Sequence, residues 1–251
     1  MNLEKFKHSC RKRVRNFYNA FFKKPTQYLP SDLPALNEIK ERALKRTAIN
    51  EHLVTLFIES VTMKPRLIVE LGVGGGATGF ALSQVAKLCG SRLVSLDIND
   101  RSHVNSYEDW IFIQADDIEF AKGFSSWCKQ RQIPSQIDVL LIDTSHLYDH
   151  TVQEIAAYFP LLADHAKVFF HDTNLKEIFF RKDGTMDLGW DNNRGVIRAV
   201  EDFFHKSFNE NQEFVDYCNS WIIKHYPYSC GFTILERLPL PVEKAQPESQ
   251  I

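Results

Sequence analysis

The stretch that most restricts how this chain can fold is "RLIVELGVGGGATGFALSQVAKLC", residues 66–89. An apolar run of β character reaches Gly72, a glycine-rich turn follows, and an amphipathic run with helical spacing comes next. Gly74, Gly76 and Gly79 spell G-x-G-x-x-G, and Gly72, Gly74 and Ala77 spell G-x-G-x-x-A one step earlier. Strand, glycine turn and helix in that order open a doubly wound parallel sheet, because only glycine allows so tight a turn and so close a backbone approach.

The rest of the chain keeps the alternation. "RLVSLDI", "WIFIQAD", "IDVLLID" and "AKVFFHD" read as further buried strands, and "HTVQEIAAYFPLL" as a crossover helix on Val152, Ile155, Tyr158, Phe159 and Leu162. A polar loop over 182–195 leads to a helix in "GVIRAVEDFFHKSF", and two β-type runs, "EFVDYCNSWII" and "CGFTILERL", close the core. The expected fold is α/β: a Rossmann-like doubly wound sheet, mostly parallel with an antiparallel C-terminal strand, plus an N-terminal helical extension. Its expected division is an extension over 1–50, the sheet domain over 51–238 and a loose tail over 239–251. Within 35–61 the pattern predicts one continuous charged helix.

Residues 1–24 carry eight basic side chains interleaved with Phe6, Val14, Phe17, Phe21 and Phe22. The expectation is a helix that packs its aromatics on the main domain or on a second subunit of a homo-oligomer; the alternative is a helix lying on an anionic surface. The formal charge is −2, from 30 basic and 32 acidic residues, so no overall excess attracts a nucleic-acid backbone. Five cysteines, odd in number and without C-x-x-C, imply neither a disulfide framework nor a zinc site. No apolar run is long enough for stable membrane insertion, and the basic N-terminus lacks the apolar core of a secretory signal, so the expected location is the cytoplasm.

In an open α/β sheet, ligands collect beyond the carboxyl ends of the strands. Glu70, Asp97, Asp116, Asp143 and Asp172 each stand at or near such an end. The glycine turn, with Gly72, Gly74 and Gly76, suits either the pyrophosphate of a dinucleotide or the methionine and ribose of S-adenosylmethionine, and Asp97 suits the ribose hydroxyls of both. Glu70 discriminates, because a carboxylate beside the turn repels pyrophosphate but tolerates a sulfonium and an ammonium. Asp116 is placed to accept from the adenine amino group. Each acid taken alone is equally a helix N-cap or a solvated carboxylate.

The ordered set of Glu70, the glycine turn, Asp97 and Asp116 resembles the motif series of class I S-adenosylmethionine-dependent methyltransferases. The segment "IDVLLIDTSHLYDHTVQEIAAYFPLLADHAKVFFHDTN" resembles the cephalosporin hydroxylase-like and rhamnosyl O-methyltransferase-like family, and more loosely the macrolide-sugar and catechol O-methyltransferases. The likeness runs over about residues 65–235, with ID-x-x-H and FHDT its most specific parts. It implies methyl transfer to a hydroxyl of a small polyhydroxylated acceptor, and a divalent metal on Asp143, His171 and Asp172. His171 departs from an all-oxygen ligand set, so Mn²⁺ stands beside Mg²⁺ as the expected ion.

His146 is the candidate general base, with Asp143 the catalytic acid residue beside it, because imidazole titrates near neutral pH; its other reading is a brace for the following helix. His171 and Asp172 have a second reading too, as a hydrogen-bonded pair fixing the loop to Asn174. Tyr148 and Trp190 are candidates to face the acceptor. An NAD(P)-dependent oxidoreductase and a non-catalytic adenosine-ligand binding protein remain as alternative functions.

Overall fold

The structure, a computed structural model, describes residues 3–239. Helices α1 (Leu3–Phe22), α2 (Pro34–Ala43) and α3 (Leu53–Val61) precede strand β1 (Leu67–Leu71), after which α4 (Ala77–Cys89), β2 (Arg92–Asp97) and β3 (Trp110–Gln114) follow. Then come α5 (Asp117–Arg131), β4 (Ile137–Ile142), α6 (Tyr148–Tyr158), β5 (Leu162–His171), a short hairpin of β6 (Ile178–Phe180) and β7 (Met186–Leu188), and α7 (Gly195–Phe204). Strands β8 (Phe214–Cys218), β9 (Trp221–Tyr226) and β10 (Phe232–Arg237) complete the main sheet.

That sheet has eight strands in the order β3-β2-β1-β4-β5-β10-β9-β8. β1 to β5 run parallel, and β10, β9 and β8 add as antiparallel neighbours. Every residue of β1 and β4 is buried, which is why both read as mostly apolar runs, interrupted only by the buried acids Glu70 and Asp138: helices cover both faces. One face packs Leu67, Val69, Leu71, Leu140 and Phe170 with Phe124 of α5, Tyr158 of α6 and Val200 of α7. The other packs Ile68, Val139, Leu141, Phe169 and Phe232 with Ile39 of α2, Leu56 and Phe57 of α3 and Leu82 of α4. The register sets Leu71 beside Leu96 and Ile142, so the chain leaves β1, β2 and β4 at one edge.

Four expectations change. The single helix over 35–61 breaks after Ala43, because buried Asn50 takes over its carbonyl: Nδ2 donates to Ala43 O at 2.6 Å while Oδ1 accepts from Thr47 N at 3.1 Å. The run 213–223 is two strands, joined at Asn219 and Ser220, whose φ of 49° and 67° suit a two-residue hairpin turn. The polar loop over 182–195 holds part of the β6–β7 hairpin, with Gly184 at φ +80° in its turn.

The fourth concerns α1, which turns its polar side toward the domain: Arg11 pairs with Glu177 at 2.9 Å, Arg15 with Asp187 at 3.1 Å, and Asn19 exchanges hydrogen bonds with Met186. Phe17 and Phe21 are each 70% exposed, against the expectation that the aromatics pack on the domain. The side chain of Phe6 and the expected tail beyond residue 239 lie outside the described residues.

Asn50 also accepts from Arg181 Nη1 at 2.9 Å, tying the helix break to the hairpin. Replacing it with alanine strands the buried Ala43 carbonyl, at a cost of about 1–3 kcal/mol, and removes one hydrogen bond of the Arg181 guanidinium, which keeps Thr47 O and Asp187. Asn50→Ala is expected to lower the urea midpoint without changing the slope, by roughly 1–3 kcal/mol in unfolding free energy; an unchanged midpoint contradicts this account of the break.

Candidate functional site

The glycine turn is shaped by close approach. Gly72 has φ +84°, and a Cβ there would stand 2.0 Å from the carbonyl oxygen of Asp143, so no other residue fits without moving β4's end. Gly74 has φ +49° and nothing within 4 Å of its missing side chain, leaving the turn open above it. Gly76, at φ +73°, begins α4 against Val104.

Asp97 ends β2 and holds the turn. Its Oδ2 accepts from Val73 N at 3.1 Å and Gly74 N at 3.2 Å, and its Oδ1 accepts from Asn99 N at 2.8 Å. Asp116 is the N-cap of α5, accepting from Glu119 N at 2.9 Å. Glu70 is fully buried; it accepts from Thr78 Oγ1 at 2.6 Å and Ser95 Oγ at 2.5 Å. Burial pushes its carboxyl up to about 7, helped by the charges of Asp143 and Asp97 and opposed by the two hydroxyl hydrogen bonds.

A cavity of about 500 Å³ opens at this edge. Gly72, Gly74, Asp97, Asp116, Asp143, His146, His171 and Asp172 all line it. Glu70 and Gly76 do not: Glu70 lies behind the turn, and Gly76 faces Val104. Tyr148 and Trp190 are also absent from the wall; the Tyr148 hydroxyl donates to Asp202 and its ring lies under Arg198, while Trp190 stands 6.3 Å from the His146 ring.

At the β4 and β5 ends, two carboxylates meet two imidazoles. His171 Nδ1 is 3.1 Å from Asp143 Oδ1 and 3.3 Å from Asp172 Oδ2, and His146 Nδ1 is 2.9 Å from Asp172 Oδ2 and 3.8 Å from Asp143 Oδ1. Asp172 and His146 both take left-handed backbone, at φ 59° and 60°, which turns their side chains toward one another. Burial alone would lower both imidazoles, but the charges and hydrogen bonds of Asp172 and Asp143 raise them, His171 well above its ordinary range. Asp172, which burial alone would raise, is lowered instead by His171 and His146. Ligand atoms of Asp143, His146 and Asp172 lie within 4.8 Å of one another, so the set that could hold a cation includes His146 as well as the carboxylates.

The fold also assembles a group that the sequence motifs do not single out. His150 Nε2 stands 3.2 Å from Asp117 Oδ1 and 3.8 Å from Glu154 Oε1, and Glu154 accepts from Thr144 Oγ1 at 2.6 Å. Asp117 and His150 line the cavity, while Glu154 is fully buried beneath it. The available signal was the four-residue spacing of His150 and Glu154, which places them on one helix face; nothing local announced Asp117, which arrives from α5. Burial pushes the Glu154 carboxyl up to about 8, against the Thr144 hydrogen bond.

Residues 69–173 match the family model described as a methyltransferase domain. No curated protein matches by sequence. Among solved structures, the MycE methyltransferase from the mycinamycin biosynthetic pathway, in complex with Mg, SAH and mycinamycin VI, is similar at TM-score 0.52 and 18% identity. That match covers 86% of this chain and 58% of MycE, so this chain spans less than two thirds of the relative. The O-methyltransferase from Bacillus cereus in complex with SAH is similar at TM-score 0.53 and 13% identity, covering 90% of this chain and 97% of that one. A methyltransferase from Geobacter sulfurreducens gives 0.50 and 16%, covering 90% and 96%. At such identities the likeness establishes the fold, a Rossmann-like methyltransferase fold.

The acid under the cavity makes stability depend on pH. Below about 4.5 Glu154 is protonated folded or unfolded; as pH rises toward 8 the unfolded chain releases this proton while the folded chain keeps it, so stability falls across that window. His150, also raised, acts in the same direction, as does Glu70. Every tenfold difference in proton affinity between folded and unfolded chain is worth about 1.4 kcal/mol, so Glu154→Gln is expected to flatten the decline in unfolding free energy by a few kcal/mol between about pH 5 and 8. Parallel pH profiles for the two proteins would count against a protonated Glu154.

Proposed function

We propose, from the match of residues 69–173 to a methyltransferase domain and from the fold, that the protein transfers the methyl group of S-adenosylmethionine to a hydroxyl of a small polyhydroxylated acceptor. The observation that carries this reading is one cavity wall bearing Asp97 and the open Gly74 turn together with Asp143, His146 and Asp172. The first group suits the nucleoside and methionine; the second suits the activation of a hydroxyl. The relatives crystallised with SAH, and MycE with Mg and mycinamycin VI as well, support the same assignment. The five free cysteines suit a reducing compartment, in keeping with a cytoplasmic enzyme.

In this reading Asp97 takes the ribose hydroxyls with the lone pairs not used by the turn, and Asp116 accepts from the adenine amine. A hydroxyl near pKa 15 is a poor nucleophile until its proton is removed. His146 fills that role: Nδ1–H donates to Asp172 Oδ2 at 2.9 Å, which leaves Nε2 as the acceptor. The acceptor oxygen bonds the methyl carbon as the sulfur–carbon bond breaks, the hydroxyl proton passes to His146 Nε2, and S-adenosylhomocysteine remains. The donor set of Asp143 and Asp172 with an adjoining imidazole also fits a divalent cation, with His171 Nδ1 or His146 Nδ1 as the nitrogen ligand. Such an ion supplies Lewis-acid stabilisation of the alkoxide. His146 Nδ1 cannot donate to Asp172 and ligate an ion at once, so a loaded site with His146 as base uses His171, as the family resemblance implies.

Calorimetry with S-adenosylhomocysteine tests the first half. Asp97→Ala is expected to weaken binding by about 1.5–3 kcal/mol, roughly ten- to a hundredfold, with NADH binding neither protein; tight NADH binding lost in the variant would overturn the methyltransferase reading. For the second half, chelator is expected to abolish methyl transfer but leave S-adenosylhomocysteine affinity intact, with Mg²⁺ or Mn²⁺ restoring turnover and Asp172→Ala inactive throughout. Full activity in excess chelator retires the metal and leaves His146 as the activating group.

A further inference from the structure

The most unusual surface of the molecule is α1, which presents its amphipathic faces the wrong way round for a helix that belongs to the core. Its polar residues Arg11, Arg15 and Asn19 face the β6–β7 hairpin, while Val14, Phe17 and Phe21 are 61%, 70% and 70% exposed. Cys10, Val14, Phe17 and Phe21 fall at i, i+4, i+7 and i+11, so they form one stripe. The rings of Phe17 and Phe21 lie 4.9 Å apart, and Leu29 and Phe180, 84% and 52% exposed, are further apolar side chains left in water beyond the helix and on the hairpin it packs against. Clustered aromatics on a surface call for a cover.

Charge decides what covers them. Residues 1–24 contain Lys5, Lys7, Arg11, Lys12, Arg13, Arg15, Lys23 and Lys24 against Glu4 alone. Only Arg11 and Arg15 are neutralised by the domain among the described residues, through Glu177 and Asp187. A second copy laid stripe to stripe would bring two strongly cationic helices together, and that repulsion opposes pairing. Anionic headgroups supply the missing counter-charge, and the acyl boundary just below them takes phenyl rings. We propose that α1 docks flat on the surface of an anionic lipid bilayer through Val14, Phe17 and Phe21. The attachment is peripheral, since no helix among the described residues is long and apolar enough to cross a membrane. α1 packs on the hairpin that follows Asp172 in the chain, so the docked surface adjoins the segment leading out of the cavity wall.

The test is co-sedimentation of the full chain with vesicles of equimolar phosphatidylglycerol and phosphatidylcholine, beside phosphatidylcholine alone. Binding is expected only to the anionic vesicles, to fall with added salt, and to drop about tenfold or more in Phe17→Ser/Phe21→Ser and in Lys12→Glu/Arg13→Glu. S-adenosylhomocysteine affinity, measured in the same preparations, is expected to stay at the wild-type value; it reports folding and fails separately from the docking. No binding to anionic vesicles by the full chain overturns the proposal, as does equal binding by well-folded variants of both kinds. A dimer in light scattering that Phe17→Ser/Phe21→Ser dissolves also overturns it and assigns the stripe to a second copy.

Discussion

Everything at the cavity depends on the contact between Gly72 and the carbonyl of Asp143. The missing Cβ lets the end of β1 and the end of β4 touch, and Asp143 N donates to Leu71 O at 2.8 Å across the same gap. A side chain at 72 would push β4's end outward, and Asp143 with it. The carboxylate that meets two imidazoles would then lose its place. On the other flank, Gly72 N donates to Leu96 O at 2.9 Å, so the same residue also fixes the strand that ends in Asp97. One glycine thus ties the cofactor half of the wall to the reactive half.

The parallel order follows from buried runs that alternate with helical ones, and it was legible because each run is short, apolar and bounded by turn residues. The strand-end acids were legible for the same reason: once strand ends are known, Asp97, Asp116, Asp143 and Asp172 are known to share an edge. What escaped depends on contacts far apart in the chain. Asn50 breaks a helix whose local pattern is continuous by bonding Ala43 O and Thr47 N, and it is held in place by Arg181, well over a hundred residues later. Asp117 follows Asp116 at the start of α5, and only α6 packing beside α5 gives it His150 and Glu154. The hairpin at Asn219 and Ser220 was locally encoded, but an apolar neighbour on each side disguised the turn.

The N-terminal helix reverses the usual inference from amphipathicity. An aromatic stripe predicts a buried face, yet the domain offers α1 acidic partners, Glu177 and Asp187, and so selects its basic side. A periodic pattern reports that a helix has two unlike faces; which one turns inward is set by the surface it meets. Here two ion pairs and the Asn19 hydrogen bonds, worth little singly at a surface, orient a helix whose Val14, Phe17 and Phe21 stay exposed.

Glu70 stands behind the cavity without lining it. Its position in the sequence sets its carboxylate beside the ligand; the structure places it one layer back, behind Gly79, whose absent Cβ would lie 3.2 Å from Oε2. With its carboxyl pushed up to about 7, it is poised between charged and neutral forms near neutral pH. Asp97 and Asp143, which raise it, stand in the cavity wall, so the charge state of Glu70 is coupled to whatever neutralises them. A cationic ligand relieves that repulsion and favours the ionised acid; an anionic ligand increases it and forces the proton to stay. On the proposed reading, a preference for sulfonium over pyrophosphate would act through Asp97 and Asp143 rather than by Glu70 touching the ligand.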